Sequence, residues 1–346
     1  MKKILPKLEE IEPITADAVI EISESRLFTQ KDLFGLAIGS FIYFGWFYFL
    51  VGLRPEHIWL YVLTLFLFFA HKKTQQFIVA FSIFIVYWIM YDSMRIFPNY
   101  KVNPIHIAEI YNFEKNLFGI VIPGSNALSL ASTPINALQN NGEALITLNE
   151  YFRINQTPYL DVLSGLFYLN WVPIPLAFGF WLFRNDKILF LKFSYAFVFT
   201  NAVGFSLYYF YPAAPPWYIE QYGFEVIHGT PGNAAGLVGF DKFFGIHLFE
   251  GMYAKNANVF AAMPSLHSAY PVLCFLYGLR LKSVWLNLFF FIFMIGVWFA
   301  AVYTRHHYLV DVLAGASVAT VCYFVFEYLC EKTRIKNWFD NLAKKI

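Results

Sequence analysis

Two short polar stretches, MPSLHSAYPV (263–272) and YTRHHYLVDVLAGA (303–316), each open an apolar segment near the C-terminal end of the chain. A single hydrophobic segment lies between them, so a helical hairpin with one more short turn sets both on the same side of a membrane. In the second stretch His307 and Asp311 stand four residues apart, and side chains at that spacing share one helix face. The carboxylate is expected to take the imidazole N–H, which fixes the tautomer and leaves the other ring nitrogen as base or nucleophile. In the first stretch Pro264 turns Met263 away from helical dihedrals, Ser265 is a good N-cap, and His267 falls in the first turn that follows. Helix starts gather unpaired backbone N–H groups and the positive end of the dipole. Two such starts, at Ser265 and near His307, are expected to form a phosphate site.

Outward from these stretches the chain is too apolar for water. Of 346 residues, 58% are hydrophobic, 21% aromatic and 14% charged, against a charged share of about 25% in soluble domains. The fold class is therefore all-α, a polytopic integral membrane helical bundle. A formal net charge of +2 gives no case for nucleic acid as a partner. Cys274, Cys322 and Cys330 lie within or at the end of apolar segments, which points to packing rather than a disulfide framework. Residues 1–32 are polar and mixed in charge, without the apolar run of a cleaved signal, so the first span is expected to be retained.

Apolar segments occur at about 33–53, 57–71, 76–97, 160–183, 188–211, 265–280, 284–303 and 307–329, against the ~20 residues a spanning helix needs. The second and sixth are short, and basic residues argue for keeping the second. With the N-terminus inside, Lys72, Lys73, Arg184, Lys187, Arg280, Lys282 and the tail cluster from Lys332 to Lys345 all become cytoplasmic. The predicted organisation is a cytoplasmic tail (1–32), three spans (33–97), an extracytoplasmic loop (98–159), a catalytic membrane core (160–330) that includes an outer loop (212–264), and a cytoplasmic tail (331–346). Both polar stretches then face outward at the membrane interface. EIYNFEKNLFG (109–119) and SNALSLASTPINALQ (125–139) read as interfacial helices. No internal repeat is present.

At PSLH (264–267) and HYLVD (307–311) the chain resembles the type 2 phosphatidic-acid phosphatase superfamily, whose second motif is PSGH-like and whose third ends in HxxxD. The Leu inside PSLH, the upstream YPAAPPWY (211–218) and the His306-His307-Tyr308 lead resemble the branch of inositol phosphorylceramide synthases. The likeness covers roughly residues 90–330. It implies about eight transmembrane helices around a six-helix phosphatase-like core, with no metal and no cofactor. It also implies a phosphotransferase that moves a phosphorylated headgroup, phosphoinositol from phosphatidylinositol, to a lipid hydroxyl such as ceramide. His307 would attack phosphorus, Asp311 would orient and charge the imidazole, and His267 would protonate the leaving oxygen and later deprotonate the acceptor.

The superfamily carries Ser-Arg seven and six residues before the nucleophilic His, where this chain has Ala300 and Ala301. The phosphate clamp must therefore come from elsewhere, with Arg305, Lys255 and Arg95 as the outward-facing cations and Ser265 and His306 as neighbouring polar groups. Asp92 and Arg95, three apart, also read as an i,i+3 surface pair. The partners implied are membrane lipids, and the composition points to a bacterial cytoplasmic membrane with the site outside. Rival readings are a lipid phosphatase with water as acceptor, a metal site built from His267, His306, His307 and Asp311, and a non-catalytic lipid-binding or transport protein. Loss of the Ser-Arg pair disfavours the phosphatase, and HHxxxD lacks the spacing of a closed metal site.

Overall fold

The computed structural model describes residues 29–123, 143–254 and 258–346. The chain divides into two units, 1–79 and 80–346. In the first, α1 (Gln30–Trp46) opens on a capping box in which Thr29 and Asp32 satisfy each other's backbone N–H groups. A π turn (Phe47–Val51) ends at Gly52, whose φ of 90° suits glycine. Then α2 (Pro55–Ala70) begins on a proline, where the missing N–H costs nothing. His57 is fully buried there, its ring stacked on Phe47 at 3.8 Å. The next helix, α3 (Lys72–Ser93), starts in this unit and continues into the second.

The second unit holds the two polar stretches. A loop region follows α3 with α4 (Ala108–Phe118), a small antiparallel pair of β1 (Ile120–Pro123) and β2 (Glu143–Ile146), and α5 (Leu148–Ile154). EIYNFEKNLFG is thus helical, whereas SNALSLASTPINALQ lies outside the described residues. The segment read as one span at 160–183 is instead two helices, α6 (Pro158–Leu169) and α7 (Pro173–Asn185), bent by 40°. Pro173 cannot donate to the preceding turn and begins a new helix instead. The chain continues through α8 (Lys187–Phe210), short helices α9 (Pro216–Tyr222), α10 (Val238–Phe244) and α11 (Leu248–Tyr253), then α12 (Leu266–Leu279), α13 (Val284–Tyr303), α14 (Leu309–Lys332) and α15 (Ile335–Ala343). All eight predicted apolar segments are helical. Among the described residues five helices are long and apolar enough to cross a membrane, α6 with α7 makes a sixth, and α2 and α12 are shorter apolar helices.

In the second unit α12 packs against α13, α14 and α8. Lipid tails are as apolar as leucine, so close packing rather than water exclusion holds such helices together. Aromatic side chains fill the gaps, as where Phe178 meets Phe290 edge-on at 4.8 Å and Phe193 meets Tyr277 at 5.6 Å. Near the polar stretches the backbones nearly touch. A Cβ on Gly315 of α14 would stand 1.9 Å from the carbonyl oxygen of Ser265, so only glycine lets the two segments approach. At the opposite end of these helices Glu327 accepts from Lys192 at 2.8 Å, from the Tyr277 hydroxyl at 3.1 Å and from Arg280. A carboxylate buried among three donors pins α8, α12 and α14 there.

Candidate active site

The site is built on how α13 ends and α14 begins. Arg305 sits at φ 64°, the left-handed position that closes many helices and usually belongs to glycine. This turn lets the Ala301 carbonyl accept the N–H groups of both His306 (3.2 Å) and His307 (3.1 Å). Ala300 and Ala301, standing where the superfamily has Ser-Arg, are fully buried under it. Asn149 of α5 donates to the carbonyls of Val302 (2.8 Å) and His307 (2.9 Å), which fixes the turn from the other side. α14 is capped by its own Asp311, which accepts the Tyr308 N–H at 2.8 Å. The Ser265 N–H donates to the Asp311 carbonyl at 2.9 Å, so the start of α12 is tied to the first turn of α14.

This framework sets His267 Nδ1 2.9 Å from His307 Nε2. His307 Nδ1 lies 2.9 Å from the Ala262 carbonyl, which can only accept. Nδ1 therefore carries the hydrogen, Nε2 is bare, and His267 Nδ1–H is the donor between the rings. Asp311 does not hold that hydrogen, as the spacing suggested. Its Oδ2 is 3.7 Å from His307 Nδ1 and is spent on the Tyr308 N–H, because the i,i+3 capping bond closes before the i,i+4 contact can. Asp311 instead sits, fully buried, as a charge beside the imidazole.

YPAAPPWY braces the segment whose Ala262 carbonyl does the orienting. Ala213 N–H donates to Phe260 O (3.0 Å) and Ala262 N–H donates to Ala213 O (3.3 Å), so this extended segment braces 260–262. His106 bonds it on its other edge, donating to Pro212 O at 2.8 Å and accepting the Ala214 N–H at 3.0 Å, and Trp217 N–H donates to the Arg305 carbonyl at 3.1 Å. The prolines keep it extended while leaving those N–H groups available.

At the two helix starts expected to hold phosphate, several donors are already engaged. The Ser265 hydroxyl is buried and accepts the Ser268 N–H, and the N–H groups of Leu309 and Val310 donate to the carboxylate of Glu114. Arg305 is also turned away from the pair. Its Nε lies 3.1 Å from both carboxylate oxygens of Glu220 and its Nη1 donates to Gln156 Oε1 at 3.4 Å, while Arg153 stands 3.9 Å from the Glu220 carboxylate. Burial pushes the Glu220 carboxyl up, and the two arginines pull it back.

His306 packs at a tilt against Tyr253 (4.4 Å) and Tyr168 (5.3 Å), with Nε2 3.2 Å from Asn233 O and Nδ1 3.0 Å from the Thr304 hydroxyl. Burial pushes its pKa down to about 3, the His307 ring adding to the effect. Unfolded His306 binds a proton below about 6.5 and the folded ring does not, so its share of stability falls as pH drops from 6.5 toward 3. His306→Gln is expected to flatten that part of the acid denaturation curve. It should leave the activity profile between pH 5 and 8 without a lost limb, as paired thermal-unfolding and rate profiles would show.

Lys255 lies outside the described residues. Arg95 and Asp92 form an i,i+3 pair at 3.2 Å, Asp92 buried and Arg95 part-exposed. Arg95 lines a cavity of about 300 Å³ together with His267. The rest of its wall is largely aromatic, including Tyr87, Tyr168, Trp171 and Tyr270. Among the described residues no three His, Cys, Asp or Glu side chains stand at metal-ligating spacing. Sequence reasoning missed the Ala262 carbonyl, Asn149, Glu220 and Glu114. Only Glu114 left a signal, as a carboxylate four residues after Ile110 on the apolar face of an amphipathic helix.

A membrane helical bundle that sets two histidines nitrogen to nitrogen, with a buried carboxylate beside one, holds the groups a phosphoryl-transfer enzyme uses as nucleophile, proton carrier and charge partner. Comparison with known sequences agrees, since residues 144–325 match the PAP2 superfamily. The chain belongs to that superfamily. It is 45% identical over 299 residues to the phosphoinositol dihydroceramide synthase of Bacteroides thetaiotaomicron, covering 86% of this chain and 92% of that one. It is 32% identical over 194 residues to the inositol phosphorylceramide synthase of Candida albicans, covering 52% of this chain and 38% of that one. The catalytic subunit of inositol phosphorylceramide synthase from Saccharomyces cerevisiae is 32% identical over 139 residues, covering 38% and 32%. No solved structure matches the chain.

Proposed function

We propose that the chain transfers phosphoinositol from a phosphatidylinositol lipid to the hydroxyl of a ceramide-class lipid, with His307, His267 and Asp311 as its catalytic residues. The observation that carries the chemistry is the bare His307 Nε2 facing His267 Nδ1–H at 2.9 Å. The names of the relatives support the substrate class. Nε2 attacks phosphorus, the bond to the diacylglyceryl oxygen breaks, and the His267 proton passes to that oxygen. The acceptor hydroxyl then attacks the phosphohistidine, gives its proton to His267, and releases His307. Asp311 offsets the positive charge that develops on the phosphorylated ring.

Attacking atoms need about 3–3.5 Å to phosphorus. Two rings already in hydrogen-bond contact leave no room for it between them, so donor binding has to part the pair. Arg95, which shares the cavity wall with His267, is the cation we assign to the phosphate, held by Asp92. The site is read as facing outward from a bacterial cytoplasmic membrane, in line with the distribution of basic loops.

A headgroup-transfer measurement tests this reading: purified protein in mixed micelles, inositol-labelled phosphatidylinositol, with and without ceramide. Label entering a new lipid only when ceramide is present is the expected result. Release of free inositol phosphate regardless of ceramide would make water the acceptor and the protein a hydrolase.

A further inference from the structure

The first turn of α14 carries the geometry of the site, and the group that holds it comes from a different part of the chain. Glu114 sits on α4, in the loop region between α3 and α6, and is completely buried. Its Oε1 accepts the Leu309 N–H at 3.1 Å and its Oε2 accepts the Val310 N–H at 3.0 Å. The capping residue of α14, Asp311, accepts from Tyr308 and not from these two first-turn donors. With Asp311 on the Tyr308 N–H, three successive amides between His307 and Asp311 are all bound to carboxylates. Packing locks α4 in place for this task. Ile110 and Tyr111 are buried with Trp217, Tyr218, Tyr308 and Val310 in one apolar cluster.

We propose that Glu114 is a positioning residue for the transfer reaction, its bidentate carboxylate fixing the first turn of α14 and through it the His307 ring and the Asp311 charge. A cap worth only helix stability would need one acceptor, and Ser, Thr, Asp or Asn at the N-cap would supply it. Here a buried carboxylate is brought from nearly 200 residues away in sequence and aimed at the two amides between the reacting histidine and its charged neighbour. The same contact fills with a protein carboxylate the anion site that the helix start offers, so substrate phosphate is directed to the cavity side of His267 rather than to the α14 dipole.

A titration follows from this placement. Burial pushes the Glu114 carboxyl up to about 7, the Leu309 and Val310 amides pull it down, and Asp311 raises it further from α14. Across Tyr308, Glu150 of α5 faces the same cluster, and Tyr111 and Lys115 flank Glu114 on its own helix. Protonation puts a hydrogen on one oxygen and removes one of its two accepting positions. Positioning is therefore complete above about pH 7 and is lost as pH falls through it.

The test compares the full-length protein with Glu114→Gln and Glu114→Asp in mixed micelles, and its kinetic arm rests on the transferase reading. Glutamine keeps one acceptor and turns an amide N–H₂ toward an N–H, so kcat is expected to fall ten- to a hundredfold with KM changed less than threefold. The wild-type rise in kcat through about pH 7 should disappear, while any limb that belongs to the histidines stays. Asp, one methylene shorter, is expected to lower kcat but keep the limb, which decides the matter should the Gln variant not fold. Hydrogen exchange at the Leu309 and Val310 amides, read without substrate, should quicken at least tenfold in either variant, with the helix interior of α12 unchanged. Wild-type kcat and exchange in both variants would overturn the proposal. So would a loss of activity that only tracks the folded fraction and leaves the pH limb in place. A wild type that transfers no headgroup refutes the transferase reading alone, and the exchange result then decides the role of Glu114.

Discussion

Replacing His307 by Ala is expected to lower headgroup transfer by at least about 10²- to 10⁴-fold, or roughly 3–5 kcal/mol of transition-state stabilisation. The ring is the only group in the turn with a bare nitrogen aimed at His267, and no neighbour can take its place. The fold should survive, because the turn is held by backbone bonds to Ala301 and by Asn149 rather than by the imidazole. Asp311→Asn makes a sharper comparison. Since the Ala262 carbonyl holds the His307 hydrogen, the neutral amide should lose only the stabilising charge and cost less than His307→Ala. Rates of labelled-lipid transfer for the two variants, normalised to folded protein, check this. Equal losses would return control of the tautomer to Asp311.

Glu220→Ala is expected to destabilise the fold strongly, by about 3 kcal/mol or more, because it leaves the buried Arg305 guanidinium without this counter-charge. The side chains are only 14% and 10% exposed, so water cannot replace the lost partner. Removing both charges together, as in Glu220→Leu with Arg305→Met, should recover most of the thermal stability. That pair of variants also decides what Arg305 does. Recovery of stability and of transfer makes it an architectural residue of the αL turn. Recovery of stability alone would return it to the phosphate, as its place in the sequence suggested.

Much of this protein was legible from composition and spacing. A chain with long, continuous apolar runs spans a membrane in helices, because a helix closes its backbone hydrogen bonds within one segment, whereas barrel strands alternate apolar with polar residues. The eight apolar segments came from that rule, and the pairing of His267, His307 and Asp311 came from two short motifs whose helix register is local. Local rules failed where partners lie far apart in sequence. The break at Pro173 needed only the proline to be read, but the hydrogen-bond partner of His307 Nδ1 did not follow from the i,i+4 rule. A capping bond to Tyr308 N–H took the Asp311 oxygen first, and the carbonyl that replaced it is delivered by YPAAPPWY through Ala213.

The same holds for charge. Sequence marked Arg305 as a cation beside the site and the α14 start as a place for phosphate, both sound as local physics. Tertiary structure brought Glu220 to the first and Glu114 to the second, two buried carboxylates whose partners no sequence period relates to them. The sequence by itself determined the class of fold and the chemical groups, since those depend on hydropathy, helix spacing and residue type. The folded chain decided which nitrogen is bare, which amides are satisfied and which cations remain facing the cavity, because each of these is settled by contacts between segments brought together only by the bundle.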